Sequence, residues 1–185
     1  MKKFYLLFLL IIVIVSCKKQ SELSKEFNCN SVELKNLKTY LDFKNNFKLH
    51  IPTNWKTNKY YSETQSEIFT ADTTKQLTET YILNTSYALG TVNFDSDFYQ
   101  KTDSIIIQNN FKKTKYGTTT FMKLPTFWYI VEGEKNGFPY HQFNIIAKKS
   151  EMAYFSASVE IYGDLKVDER ICESISILEK IEFLQ

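Results

Sequence analysis

One stretch near the C-terminus constrains the fold more than any other. Ala153, Phe155, Ala157, Val159 and Ile161 alternate without a break against Ser156, Ser158 and Glu160. A period of two sends successive side chains to opposite faces of a strand, so this segment has one apolar and one polar face. It requires a sheet buried on one side, and several neighbouring segments share the pattern. Phe47, Leu49 and Ile51 alternate with Lys48 and His50 after an Asn45-Asn46 turn and stop at Pro52. Tyr81, Leu83, Thr85, Tyr87 and Leu89 share one face of a longer strand. Residues 126–134 are aromatic and β-branched, Asn136-Gly137 follows, and a returning strand near 139–148 puts His141, Phe143, Ile145 and Ala147 on one face. Asn-Gly between apolar runs signals a hairpin, because both turn residues must accept positive φ. The expected core is an antiparallel meander with one buried face.

Two segments break the alternation. Phe98, Thr102, Ile105 and Ile106 form a helical stripe preceded by Asp95-Ser96-Asp97, acidic residues where a helix N-terminus favours them. Val167, Ile171, Ile175 and Leu178 form a second stripe, entered through Gly163-Asp164 with Asp168 and Glu169 in its first turn. Two helices and a one-sided sheet make an α+β sandwich. A length of 185 residues with 43% hydrophobic content suits one domain with a tail, and 24% charged residues exclude a disordered chain.

The first residues belong to targeting rather than folding. Lys2 and Lys3 precede an unbroken apolar run from Phe4 to Val15, which suits a signal-peptide core and is short of the ~20 residues that span a bilayer. It ends in Ile14-Val15-Ser16-Cys17, which resembles a bacterial lipobox. The resemblance implies cleavage before Cys17, a thioether-linked diacylglycerol on its sulfur, and a freed amine open to acylation. An ordinary signal peptide, or an uncleaved anchor, with a chance cysteine is the alternative. Removing residues 1–16 takes only Lys2 and Lys3 from the charge count, so 21 basic residues then face 21 acidic ones. A balanced chain has no basic stripe for nucleic acid. Two acyl chains suffice for stable anchoring, so membrane lipid held through Cys17 is the expected partner. Lys18 stands where enterobacterial inner-membrane retention uses aspartate, and Cys17-Lys18-Lys19-Gln20 lacks acidic export residues. That pattern implies the periplasmic face of the outer membrane. Residues 17–38 read as the lipidated cysteine and a polar tether, with a short helical turn near 32–37, and residues 39–185 as a single domain.

The domain resembles the PsbP-like family, named after an extrinsic subunit of photosystem II. The resemblance is carried by Phe47-Lys48-Leu49-His50-Ile51-Pro52 with Trp55 three positions on, then the strand at 78–89 and the helix near 97–109. The aromatic meander and Ile161-Tyr162-Gly163-Asp164 before a C-terminal helix follow in similar order, over about residues 40–184. It implies an antiparallel β-sheet sandwiched by helices, a PsbP-like α/β/α sandwich, and an adaptor-like role without catalysis. No photosystem role carries over, because a lipobox departs from the lumenal members of the family.

The catalytic inventory is thin. The chain has no Gly-x-Ser-x-Gly, His-Glu-x-x-His, Cys-x-x-Cys or phosphate-cradling glycine loop. His50 falls on the polar parity of its strand, and His141 shares parity with Phe143 and Ile145, which suits a histidine hydrogen-bonded at the edge of a core. Asn93-Phe94-Asp95-Ser96-Asp97 has the look of a calcium loop, but Phe98 stands where such a loop needs glycine and Ser104 where it needs glutamate. Helix capping accounts for these carboxylates better. The sequon Asn84-Thr85-Ser86 lies on an expected strand and carries no weight. Once Cys17 is lipidated, Cys29 and Cys172 remain: a disulfide in an oxidising compartment, or two separate thiols. Tyr60, Tyr61, Phe127, Trp128, Tyr129, Phe138 and Tyr140 are expected mainly in the core, with a minority at an interaction surface.

These observations lead to the expectation of a non-catalytic, lipid-anchored envelope module that binds or helps assemble another envelope protein, with no cofactor and no metal. The alternative is a periplasmic carrier of a small ligand or metal, which requires His141, Asp72 or Glu132 to converge on a cavity. A hydrolase ranks third, since no nucleophile–base pair is recognisable.

Overall fold

The computed structural model of the chain describes residues 20–30 and 32–184, so the signal segment and the lipobox with Cys17 lie outside the described residues. The elements run in the order α1 (Glu22–Glu26), β1 (Leu37–Leu41), β2 (Phe47–Pro52), β3 (Lys56–Tyr61), β4 (Gln65–Ala71) and β5 (Ile82–Leu89). Then come α2 (Ser96–Gln108), β6 (Lys112–Phe121), β7 (Leu124–Lys135), β8 (Phe138–Ser150), β9 (Ala153–Tyr162), α3 (Val167–Leu178) and β10 (Glu182–Phe183).

The alternating strand β9 lies at the centre of a seven-stranded antiparallel sheet ordered β3-β4-β5-β9-β8-β7-β6. Its apolar side chains share the inner face with Ile68, Leu83, Phe143, Ile145 and Trp128. Three elements cover that face: α1 through Leu23, α3 through Ile171, Ile175 and Leu178, and a small sheet ordered β1-β2-β10. Phe47 of β2 meets Phe155 of β9 edge-on at 5.6 Å. On the outer face α2 packs at one side, with Phe98 and Tyr99 set 5.5 and 5.1 Å from Phe127. The expected α+β sandwich is the one observed. The strand 47–52, expected within the meander, belongs instead to the separate small sheet, because Asp42 folds it back on β1. The Asp42 carboxylate accepts from the backbone N–H of Asn46 at 2.7 Å and of Phe47 at 3.0 Å, closing a turn in which Asn45 has φ 58°. The Asn136-Gly137 hairpin forms as expected, with φ of 55° and 79°.

The tether is corrected by the structure. Gln20 onward is folded against the domain: Ser21 caps α1 by accepting from Ser24 N at 3.0 Å, and Leu23 is fully buried. The Phe27 ring stands 4.8 Å from Trp128 and 5.0 Å from Phe143. The helical turn expected at 32–37 is absent from the described residues there, and the helix is at Glu22–Glu26. Average polarity misleads because Leu23 and Phe27, four residues apart, suffice to hold one turn of helix on a core. Cys29 is joined to Cys172 of α3 by a disulfide with Cα atoms 5.2 Å apart, across 143 residues of sequence.

Arg170 ties α3 to the sheet. Its buried guanidinium donates to the carbonyls of Thr80, Tyr162, Gly163 and Leu165 at 2.5–3.1 Å. Burial pushes its pKa down, partly offset by Asp164. The four acceptors come from the connection before β5, the end of β9 and the loop into α3, so one planar group fixes where three segments meet.

Two outcomes follow from these links. Arg170→Lys offers a single ammonium where the guanidinium spans four carbonyls, and should lower unfolding stability by about 2–4 kcal/mol, read as a fall in denaturant midpoint without a change of slope. Cys29→Ala with Cys172→Ala should cost up to about 4–5 kcal/mol on the chain-entropy account. Thiol titration of the unreduced, unfolded mature protein should find neither thiol free; two free thiols would refute the bridge.

Candidate binding trough

The residues singled out for chemistry do not converge. His50 sits on the small sheet, with Nδ1 3.1 Å from Thr39 Oγ1 and Nε2 3.0 Å from Glu182 Oε1. His141 lies at the far end of β8, with Nε2 2.8 Å from Asp164 Oδ1 and Nδ1 3.6 Å from Glu132 Oε1. Glu132 and Asp164 therefore approach opposite nitrogens of one ring and face no common point. Asp72 is buried in a turn, accepting from Thr74 N at 3.0 Å and Thr74 Oγ1 at 2.6 Å, with Lys75 at 3.8 Å. Among the described residues no group of three His, Cys, Asp or Glu could hold a metal ion. Asp95 is the N-cap of α2, its side chain accepting from Phe98 N at 3.0 Å, so capping accounts for this carboxylate.

The aromatics divide as their strands do. Phe127, Trp128 and Tyr140 are buried, while Tyr60, Tyr61 and Phe138 are exposed. Trp128 is overlaid so closely by Gly117 that a Cβ there would come 2.9 Å from the indole. Any side chain on residue 117 would displace that ring.

The outer face of the large sheet holds the site that strand parity alone did not reveal. In register across four strands stand Asn84 of β5, Ser158 of β9, Asn144 of β8 and Tyr129 of β7. A second row runs Ser86, Ser156 and Ile146. Small polar residues here leave a trough of about 250 Å³, whose side chains also include Tyr154. That is roughly eight waters at about 30 Å³ each. Its floor holds Asn84 Oδ1 and Ser86 Oγ, both buried and without a hydrogen-bond partner, although Ser86 is only 4% exposed. Native structures rarely leave such groups unpaired, because each costs about 1–3 kcal/mol. Asn144 is held by donating Nδ2 to Gln142 O at 3.3 Å. Burial pushes the Tyr129 pKa up, so its hydroxyl remains a neutral donor. No charged side chain lines the trough. Hydroxyls and amides that both give and accept, set between tyrosines, suit an uncharged, hydrogen-bonding ligand.

Comparison with known proteins bears on the fold. The sequence matches no family model and no curated protein. Among solved structures it is similar to cyanobacterial PsbP (CyanoP) from Synechocystis, with a TM-score of 0.56 at 10% identity over 84% of this chain and 96% of that one. The fold is PsbP-like. The Ran-binding protein Mog1p of Saccharomyces cerevisiae is similar too, with a TM-score of 0.54 at 8% identity over 81% of this chain and 96% of that one. A protein of Bacteroides thetaiotaomicron gives 0.52 at 12% identity over 81% of this chain, which spans 49% of that chain. At these identities the likeness is one of fold. No helix among the described residues is long and apolar enough to cross a membrane.

A second electrostatic feature lies on α3. Burial pushes the Glu173 pKa above the ordinary value of about 4.3; Lys75 lowers it and Asp72 raises it. The folded state then holds the Glu173 proton more tightly than the unfolded chain. Its contribution is intact below the ordinary value and is lost as pH rises through the raised one. Glu173→Gln should therefore raise the melting temperature at neutral pH and leave it unchanged below about pH 4. Equal gains at both pH values would contradict the assignment.

Proposed function

We propose that this protein is a lipid-anchored, non-catalytic binding module of the cell envelope, held to the membrane through Cys17, whose trough takes an uncharged, hydroxyl- or amide-bearing ligand such as a glycan. The observation that carries this reading is the pair of unpartnered buried acceptors, Asn84 Oδ1 and Ser86 Oγ, under a trough lined by Ser156, Ser158, Asn144, Tyr129 and Tyr154. A floor that were merely structural would gain stability from apolar residues of the same size. Left unpaired, both groups can be satisfied by a ligand or a water that enters the trough once the side chains turn toward it. The carrier reading is favoured in its neutral-ligand form, because His141, Glu132 and Asp72 are spent on contacts away from the trough. The same distribution supports a non-enzymatic role: no histidine or carboxylate lines the trough, and His50, which adjoins Thr39 Oγ1 at 3.1 Å, lies on the small sheet away from it.

Ser86→Val separates function from structure. The methyl groups remove an unpartnered hydroxyl, so melting temperature should hold or rise by the equivalent of about 1 kcal/mol. Binding of neutral oligosaccharides, read by chemical-shift perturbation on the intact mature chain, should fall by an order of magnitude or more. No perturbation at Asn84, Asn144 or Tyr129 by neutral saccharides would overturn the reading, as would a variant that binds like the parent.

A further inference from the structure

We infer that the end of the sheet bearing the 42–46, 122–123 and 151–152 turns rests directly on the bilayer, its exposed apolar tips lying in the headgroup layer. The inference rests on lipidation at Cys17 and adds an orientation to it. Gln20, the first described residue, is held to the domain: its side-chain amide donates to Cys29 O at 2.7 Å and Ser24 O at 3.2 Å. Three residue steps separate Gln20 from Cys17, at most about 11 Å of extended chain. The headgroup layer of one leaflet is itself about 5–8 Å thick. A domain tied that closely has no room to stand away from the surface, and the end that carries Gln20 must face it.

The contacts of residues 21 and 22 identify that end. The Ser21 hydroxyl donates to Glu179, just past the C-terminus of α3. The Glu22 carboxylate accepts from Thr120 N at 3.3 Å, two residues before Met122 in the turn between β6 and β7. Strand register gathers the other turns at the same end. Phe121 pairs with Leu124, Ser150 and Leu89 pair with Ala153, and Tyr61 pairs with Ser66. Phe43 of the small sheet's turn lies 4.9 Å from Tyr61, which places that hairpin alongside. Phe43, Tyr61, Leu89, Met122 and Met152 are all exposed here, Met152 by 75%. Lys123 follows Met122 in the same turn, where a long basic stem can reach the phosphates, while Lys149 Nζ lies over the Phe183 ring at 5.2 Å.

The turn geometry supplies an independent sign. Met122 and Lys123 both hold left-handed backbone, with φ of 52° and 66°. The distal hairpin meets the same demand with Asn136-Gly137. Displaying methionine and lysine at the membrane-side tip in place of Asn-Gly carries a steric cost, because a Cβ crowds the following carbonyl in left-handed backbone. The retained side chains are those that suit an interface between acyl chains and water.

Only Met122 and Met152 remain as methionines once residues 1–16 are removed, so they report on this end without any substitution. The mature lipidated protein on phosphatidylcholine–phosphatidylglycerol vesicles is exposed to hydrogen peroxide beside unlipidated protein produced from residue 17 onward with Cys17→Ser, in solution. Sulfoxide at each site is read by peptide mass. Both methionines should oxidise several-fold more slowly on vesicles, while a Leu165→Met control at the opposite end keeps its solution rate. Equal rates on vesicles and in solution at 122 and 152 would overturn the orientation, with the intact mass still showing lipid on Cys17. An intact mass without lipid would overturn the anchor and the orientation together. Slow oxidation at all three sites would indicate shielding unrelated to orientation and would likewise count against it.

Discussion

The buried guanidinium of Arg170 sets the geometry on which the other contacts depend. By holding the carbonyls of Thr80, Tyr162, Gly163 and Leu165, it starts α3 at one end of β9 and lays it back over the inner face. That path brings Cys172 against Cys29 and carries Glu179 to Ser21 and Ser24. The N-terminal segment is thereby fixed to the end of the sheet opposite the clamp. A group that cannot lose its charge suits the task, since four carbonyl dipoles directed at one cation compensate the loss of water.

The sequence revealed those elements whose stability comes from one buried face. β9, β8 and β5 alternate because the inner face is apolar, and α3 carries a stripe because one side is covered, whereas in α2 Thr102 and Ile106 are buried and Ile105, expected on the same stripe, is exposed. The edge strand β3 escaped notice since Lys56–Tyr61 is exposed at almost every position. In β4, Ser66 and Thr70 flank Ile68 on the inner face, so burial there is not matched by hydrophobicity. Arg170 could have been found: it shares the stripe of Val167, Ile171, Ser174 and Ile175, where an arginine must be buried or break the face. Leu23 and Phe27 give a fainter signal, because two apolar residues in a polar run acquire meaning only with the core they meet.

The trough was hidden for a different reason. Ser156 and Ser158 were legible as one side of β9, and a polar side of a strand ordinarily means solvent. What turns them into a site is the alignment of Asn84, Ser158 and Asn144 across three strands, and register is a property of pairings between distant segments. The same reasoning separates the histidines. Each sits where its strand parity placed it, yet they belong to different sheets, so no rim brings them together.

The proposed anchor and the trough are linked by the length of the strands between them. Asn84 lies five residues from Leu89 on β5, about 17 Å at roughly 3.3 Å per residue. In the proposed orientation, with the tips of Met122 and Met152 at the headgroups, the trough would open sideways at about that height above the bilayer. A ligand embedded in the acyl region would not reach it, whereas a polymer or glycan lying just outside the headgroup layer would pass alongside. The absence of charged side chains in the trough then has a physical use. Were the trough held near an anionic surface as proposed, a neutral site would bind without competing with the lipid for cations, and its affinity should depend little on ionic strength.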